Sequence, residues 1–140
     1  MNAVPEPVDP FDLPPWLGEA DVTWAPETAI GAGALVPGHL QADDEPALPC
    51  DLLAVDEAYP APVADDQLRS RAHQSWRHGQ VHLVAYDGRL TLLVPGREFS
   101  ADRVLDALGR LALALGGHPD KMSAVLNVGR DASRRAGSGR

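Results

Sequence analysis

Val81-His82-Leu83-Val84-Ala85-Tyr86-Asp87-Gly88-Arg89-Leu90-Thr91-Leu92-Leu93-Val94 contains the strongest fold signal in the chain. A two-residue type I′ turn needs positive φ at both central positions, and Asp87-Gly88 tolerates it, so a β-hairpin is expected. With that loop Tyr86 faces Arg89, and pairing runs outward to Val81 and Val94. Side chains alternate between faces along a strand. One face therefore collects Val81, Leu83, Ala85, Leu90, Leu92 and Val94, and the other carries His82, Val84, Tyr86, Arg89, Thr91 and Leu93. A slip of one residue would mix the two sets, which specifies the register.

Downstream, Ser100 is placed to cap a helix and Asp102 to complement its first turn. Ala101, Val104, Leu105, Leu108, Leu111, Ala112 and Leu115 form one apolar stripe at helical spacing, expected to pack on the sheet. Asp106 and Arg110 have the i,i+4 spacing of a surface pair. Gly116-Gly117 and Pro119 end the helix. Ser123 to Val128 alternates as a further strand. A crossover from Leu90–Val94 to it is right-handed if the two strands lie parallel in one sheet. Upstream, Asp65 or Asp66 caps a helix through Arg77, with Leu68, Ala72 and Trp76 on one side and Gly79 at its end. The expectation is an α+β fold: a two-layer mixed sheet with an αββαβ C-terminal core over residues 48–129 and an irregular, Pro-rich N-terminal segment.

Eleven of the thirteen prolines lie at or before Pro62. Pro5, Pro7, Pro10, Pro14 and Pro15 deny the first fifteen residues a stable helix or central strand. Residues 1–47 read as an acidic strap, with short strands at Asp21–Ala25 and Ala34–Val36; a third, Cys50–Val55, opens the core. Asp43-Asp44-Glu45-Pro46 reads as a solvated loop. Residues 130–140 read as a disordered basic tail.

Charge divides the chain. Up to position 68 there are fourteen acidic and no basic residues, and after it twelve basic against six acidic, so the net −8 joins a −14 front to a +6 back. Such halves attract each other and outside partners of opposite sign. The single Cys50 excludes an internal disulfide framework and points to a reducing, cytoplasmic setting. No apolar run is long enough to span a membrane, so no membrane partner is expected.

Chemical motifs are sparse. Gly31-Ala32-Gly33 starts like a dinucleotide fingerprint, but Val36 stands where the third glycine belongs. Neither a nucleophile elbow nor a phosphate-binding lysine loop occurs. His73 and His78 are five apart on the expected helix and His82 lies on the hairpin, which is poor zinc spacing, and no metal or cofactor is expected. Cys50 reads as a small buried hydrophobe.

Phe11, Leu13, Trp16, Leu17 and Trp24 place large apolar side chains in acidic surroundings, suited either to a partner's groove or to folding back on the protein's own core. Leu113 projects from the polar side of its helix, where a partner or a second copy forming a homodimer would cover it. These residues favour a non-catalytic protein-interaction module of adaptor, chaperone-like or regulatory type. One alternative is a nucleic-acid-associated regulator, autoinhibited by the acidic half, with phosphate contacts at Arg130, Arg134 and Arg135. The other is a small enzyme seeded by His82 and Tyr86.

Overall fold

A computed structural model describes residues 6–28, 34–56, 65–86 and 88–125. In chain order they form β1 (Glu6–Pro7), a 3₁₀ turn (Pro10–Asp12), α1 (Trp16–Glu19), β2 (Val22–Pro26), β3 (Leu35–Val36), β4 (Gly38–Gln41) and β5 (Leu48–Ala54). Then come α2 (Asp66–Arg77), β6 (His82–Tyr86), β7 (Arg89–Val94), α3 (Ala101–Ala114), a second 3₁₀ turn (Pro119–Lys121) and β8 (Met122–Ala124). The architecture is α+β, with helices on a mixed eight-stranded sheet of order β1-β6-β7-β5-β4-β2-β8, and β3 pairs with β5 off that path.

The hairpin pairs Tyr86 with Arg89, Ala85 with Leu90 and Leu83 with Leu92, the register required by a two-residue connection. Gly88 sits at φ 77°, the left-handed region that glycine enters without steric penalty; Asp87 lies outside the described residues. Side-chain caps set the helix starts. Asp65 Oδ1 accepts from Leu68 N–H for α2, and Ser100 Oγ accepts from Arg103 N–H for α3.

The sheet is covered on both faces, which corrects the expected two layers. Along β5, Cys50, Leu52 and Ala54 pack with Val104, Leu108 and Leu111 of α3, whereas Leu53 and the following Val55 pack with Ala72 and Leu68 of α2. Thr91 and Leu93 of β7 and Val84 of β6 are buried on that second side. The physical reason is the parallel pairing of β5 with β7 at the sheet centre, since central parallel strands are apolar on both sides. The stripe of α3 is also shifted. Val104, Ala107, Leu108, Leu111 and Ala112 are buried, and Leu105, expected inside, is exposed.

β2 and β4 belong to the same sheet: β2 pairs with β4 and β4 with β5. β8 runs parallel to β2, so β5, β4 and β2 lie between β7 and β8. Residues 126–128 of the expected last strand, the tail 130–140 and Gly31-Ala32-Gly33 lie outside the described residues. No helix among the described residues is long and apolar enough to cross a membrane.

β3 and β4 follow one register against β5, with Val36 opposite Leu52 and His39 opposite Pro49, yet pairing lapses at Pro37 and Gly38. Trp24 fills the gap. Fully buried, it donates its indole N–H to Cys50 O at 2.8 Å. A Cβ on Gly38 would stand 2.6 Å from the ring's Cε2 and Cζ2. Gly38→Ala is therefore expected to lower stability by about 1–3 kcal/mol through overpacking. An unchanged urea midpoint would show that the ring can yield.

Candidate functional site

The N-terminal segment is built outward from two local devices. Asp9 Oδ1 accepts from Phe11 N–H at 3.0 Å and Pro10 occupies the first position of the 3₁₀ turn, whose fixed φ suits a helical start. On the far side Leu13, Trp16 and Leu17 fold onto the core, and α1 lies so close to the end of α3 that a Cβ on Gly18 would meet Leu115 O at 2.8 Å. Lys121 Nζ donates to Glu19 O at 3.1 Å and ties the segment to the second 3₁₀ turn. Between these anchors Phe11 is 94% exposed. Because the backbone of the turn is held at both ends, binding through this ring has only the side chain left to order.

Of the residues singled out from the sequence, Leu17 and Trp24 are core side chains, 2% and 0% exposed, and Leu13 and Trp16 are partly buried against the same core. Their apolar surface is used inside the fold because β2 is an interior strand and α1 packs on α3. Phe11 and Leu113, 58% exposed, present theirs outward. Arg130, Arg134 and Arg135 lie outside the described residues.

Next to Phe11 opens a cleft of about 540 Å³, lined by Pro7, Val8, Pro10, His78, His82, Arg110 and Leu113 among others. A second depression of about 270 Å³ is lined by Phe11, Pro14, Glu19 and Leu115, and Pro10 lines both. In the cleft wall the Arg110 guanidinium lies 3.5 Å from the Trp76 ring centroid. It donates from Nη1 to Trp76 O and Gln80 O and from Nε to Asp106 Oδ1. Sequence reasoning saw only the Asp106 partner, because the Trp76 ring reaches Arg110 by packing across 34 residues.

His78 and His82 line the same cleft while His73 lies on another, and no group of three His, Cys, Asp or Glu side chains suited to a metal occurs among the described residues. His82 is half-buried and its Nε2 has no partner; burial and the nearby Arg71 charge hold its pKa below the usual imidazole value. Tyr86 packs on the α2 side of the sheet. Cys50 is fully buried, and its thiol is pushed far up by burial and by Asp51, against a smaller opposing effect of Arg89.

Two charge clusters join elements that are distant in sequence. Asp51, 5% exposed, takes Arg89 Nε at 2.9 Å on Oδ2 and Arg89 Nη2 at 2.9 Å on Oδ1. Arg89 Nη2 also donates to Gly38 O and to Glu27 Oε2, and Asp51 Oδ1 accepts from Gly38 N–H. Side chains thus serve the Gly38 backbone groups where the β3–β4 pairing lapses. A carboxylate inside the apolar run Leu48–Ala54 was the sequence signal for this partner. In the second cluster Asp56 accepts from Gly96 N–H at 2.8 Å and bonds His73 Nε2 at 2.9 Å, with Arg69 Nε 4.0 Å away. Partial burial pushes the Asp56 carboxyl up, but the bonds from His73 and Gly96 and the charges of His73 and Arg69 outweigh it and hold the pKa below the usual carboxylate value.

No protein-family model, curated protein or solved structure matches the chain.

Removing Arg89 strands a buried charge. Arg89→Met is expected to cost about 3 kcal/mol, near the low end for a broken buried pair because the guanidinium keeps some solvent contact. The double variant with Asp51→Leu should recover part of that loss, and denaturation of the three variants checks it. Asp56 gives a pH signature. Its folded pKa is depressed below the unfolded value of about 3.9, so its contribution is present above that pH and is lost as pH falls through the folded value. The stability gap between the parent and Asp56→Asn should therefore close below about pH 4, measured by denaturant titration across pH.

Proposed function

We propose that this protein is a non-catalytic interaction module, of adaptor, chaperone-like or regulatory type, whose contact surface is the Phe11 turn and the adjoining cleft at Leu113. In this reading residues 1–47 carry the contact turn and an αββαβ body over residues 48–129 supports it. The observation that carries the reading is the solvent-facing Phe11 ring on a turn whose backbone is held at both ends. Aromatic side chains are frequent energetic centres of protein interfaces.

The test is affinity capture from cell extract with the parent and with Phe11→Ala. Because the ring touches little, the variant should keep its thermal midpoint, as surface changes usually stay within about 0.5 kcal/mol. Recovery of specific partners should fall at least about tenfold, the scale of an interface hot spot. The same partners returning at the same yield would remove the reading.

A second reading, contact with phosphate groups of nucleic acid, is supported by the outer side of α2. There Arg69, Ser70, His73 and Arg77 line a shallow cleft of about 250 Å³. It requires binding to DNA or RNA at low salt that Arg77→Ala weakens and that declines steeply as salt rises. Absence of binding at low salt would dispose of it.

A further inference from the structure

Phe11 and the cleft of about 540 Å³ are neighbours on one surface, a protrusion beside a hollow. The projecting ring is flanked by exposed Asp9 and Asp12, in a part of the chain with no basic residue before Arg69. The cleft has Leu113, Pro7, Val8 and Pro10 as apolar wall and Ser75, His78, Gln80 and His82 as polar neighbours, while its Arg110 is already paired with Asp106. Phe11 does not occupy the cleft of its own chain, since it is almost wholly in solvent. Pro10, which lines the cleft, is its immediate neighbour in the turn.

A protrusion and a hollow side by side on one surface are self-complementary under a two-fold rotation: each copy offers its protrusion to the other's hollow, and the contact closes on itself. We propose that the chain forms a symmetric dimer in which Phe11 of each copy enters the cleft beside Leu113 of the other. The cleft falls within the range of sites that enclose small organic groups, and one aromatic side chain fits it. The surrounding contact needs about 800 Å² per copy, roughly a tenth of the 8050 Å² of accessible surface. This inference rests on the reading of Phe11 as a contact residue and names its partner as a second copy of the chain.

Sedimentation of the full chain from micromolar to millimolar concentration is the test. A monomer–dimer equilibrium is expected, favoured as salt screens the repulsion between two chains of net charge −8. Phe11→Ala and Leu113→Glu should each weaken dimerisation at least about tenfold, with thermal midpoints retained. Mixing a Phe11→Cys chain with a Leu113→Cys chain should give a disulfide between the two under mild oxidation. Buried Cys50, whose thiol resists ionisation, does not compete. A chain that stays monomeric at millimolar concentration overturns the inference, as does a dimer indifferent to both substitutions. Monomeric protein that still loses captured partners on Phe11→Ala would overturn self-association alone and leave the interaction reading standing.

Discussion

The bidentate pair between Asp51 and Arg89 holds together parts of the chain that composition sets apart. Asp51 belongs to the acidic front and Arg89 opens the second strand of the basic back, and the guanidinium also reaches Glu27 and the Gly38 carbonyl. One cation thereby joins the end of β2, the gap between β3 and β4, the middle of β5 and the start of β7. Attraction between the charged halves is realised as a few short contacts in the folded sheet. A buried carboxylate without this partner would oppose folding by several kcal/mol, so β5 can be central only where Arg89 reaches it. The Asp56 cluster repeats the pattern at the other end of β5, where a front carboxylate meets His73 of α2 and the Gly96 amide.

Rigidity at the contact surface has the same origin in the core. Trp16 and Leu17 are drawn inward because α1 closes over the end of α3, and the close approach of Gly18 to Leu115 leaves little slack. Phe11 is then excluded from the core by geometry: its turn begins at Asp9 and is anchored again by Leu13, so the ring has nowhere to go but outward. Fixing the backbone on both sides makes the exposed ring a feature of the fold, and the cleft beside it depends on the stacking of Arg110 on Trp76.

Local chemistry made much of this legible in advance. Asp-Gly set the hairpin register, and Asp65, Ser100, Gly79 and Gly116 marked the helix ends, because turns and caps are properties of a few adjacent residues. β4 escaped notice: Gly38–Gln41 is four residues long, follows Pro37 and begins with a glycine, and only pairing on both sides makes it a strand. The second covered face escaped because Val84, Thr91 and Leu93 sit among His82, Tyr86 and Arg89, an alternation that reads as half-solvated. The candidate site was least visible. Phe11 and Leu113 could be named from the sequence, but the cleft joins residues from both ends of the chain, and no spacing rule brings Pro7 to Arg110.

The outer margin of the sheet at β1 has a further meaning. A margin strand exposes unsatisfied backbone groups on which another chain can build, yet among the described residues of β1 one of two, Pro7, has no N–H to offer. At that position the margin cannot donate to an added strand. Next to it the Phe11 ring offers other molecules shape in place of backbone pairing.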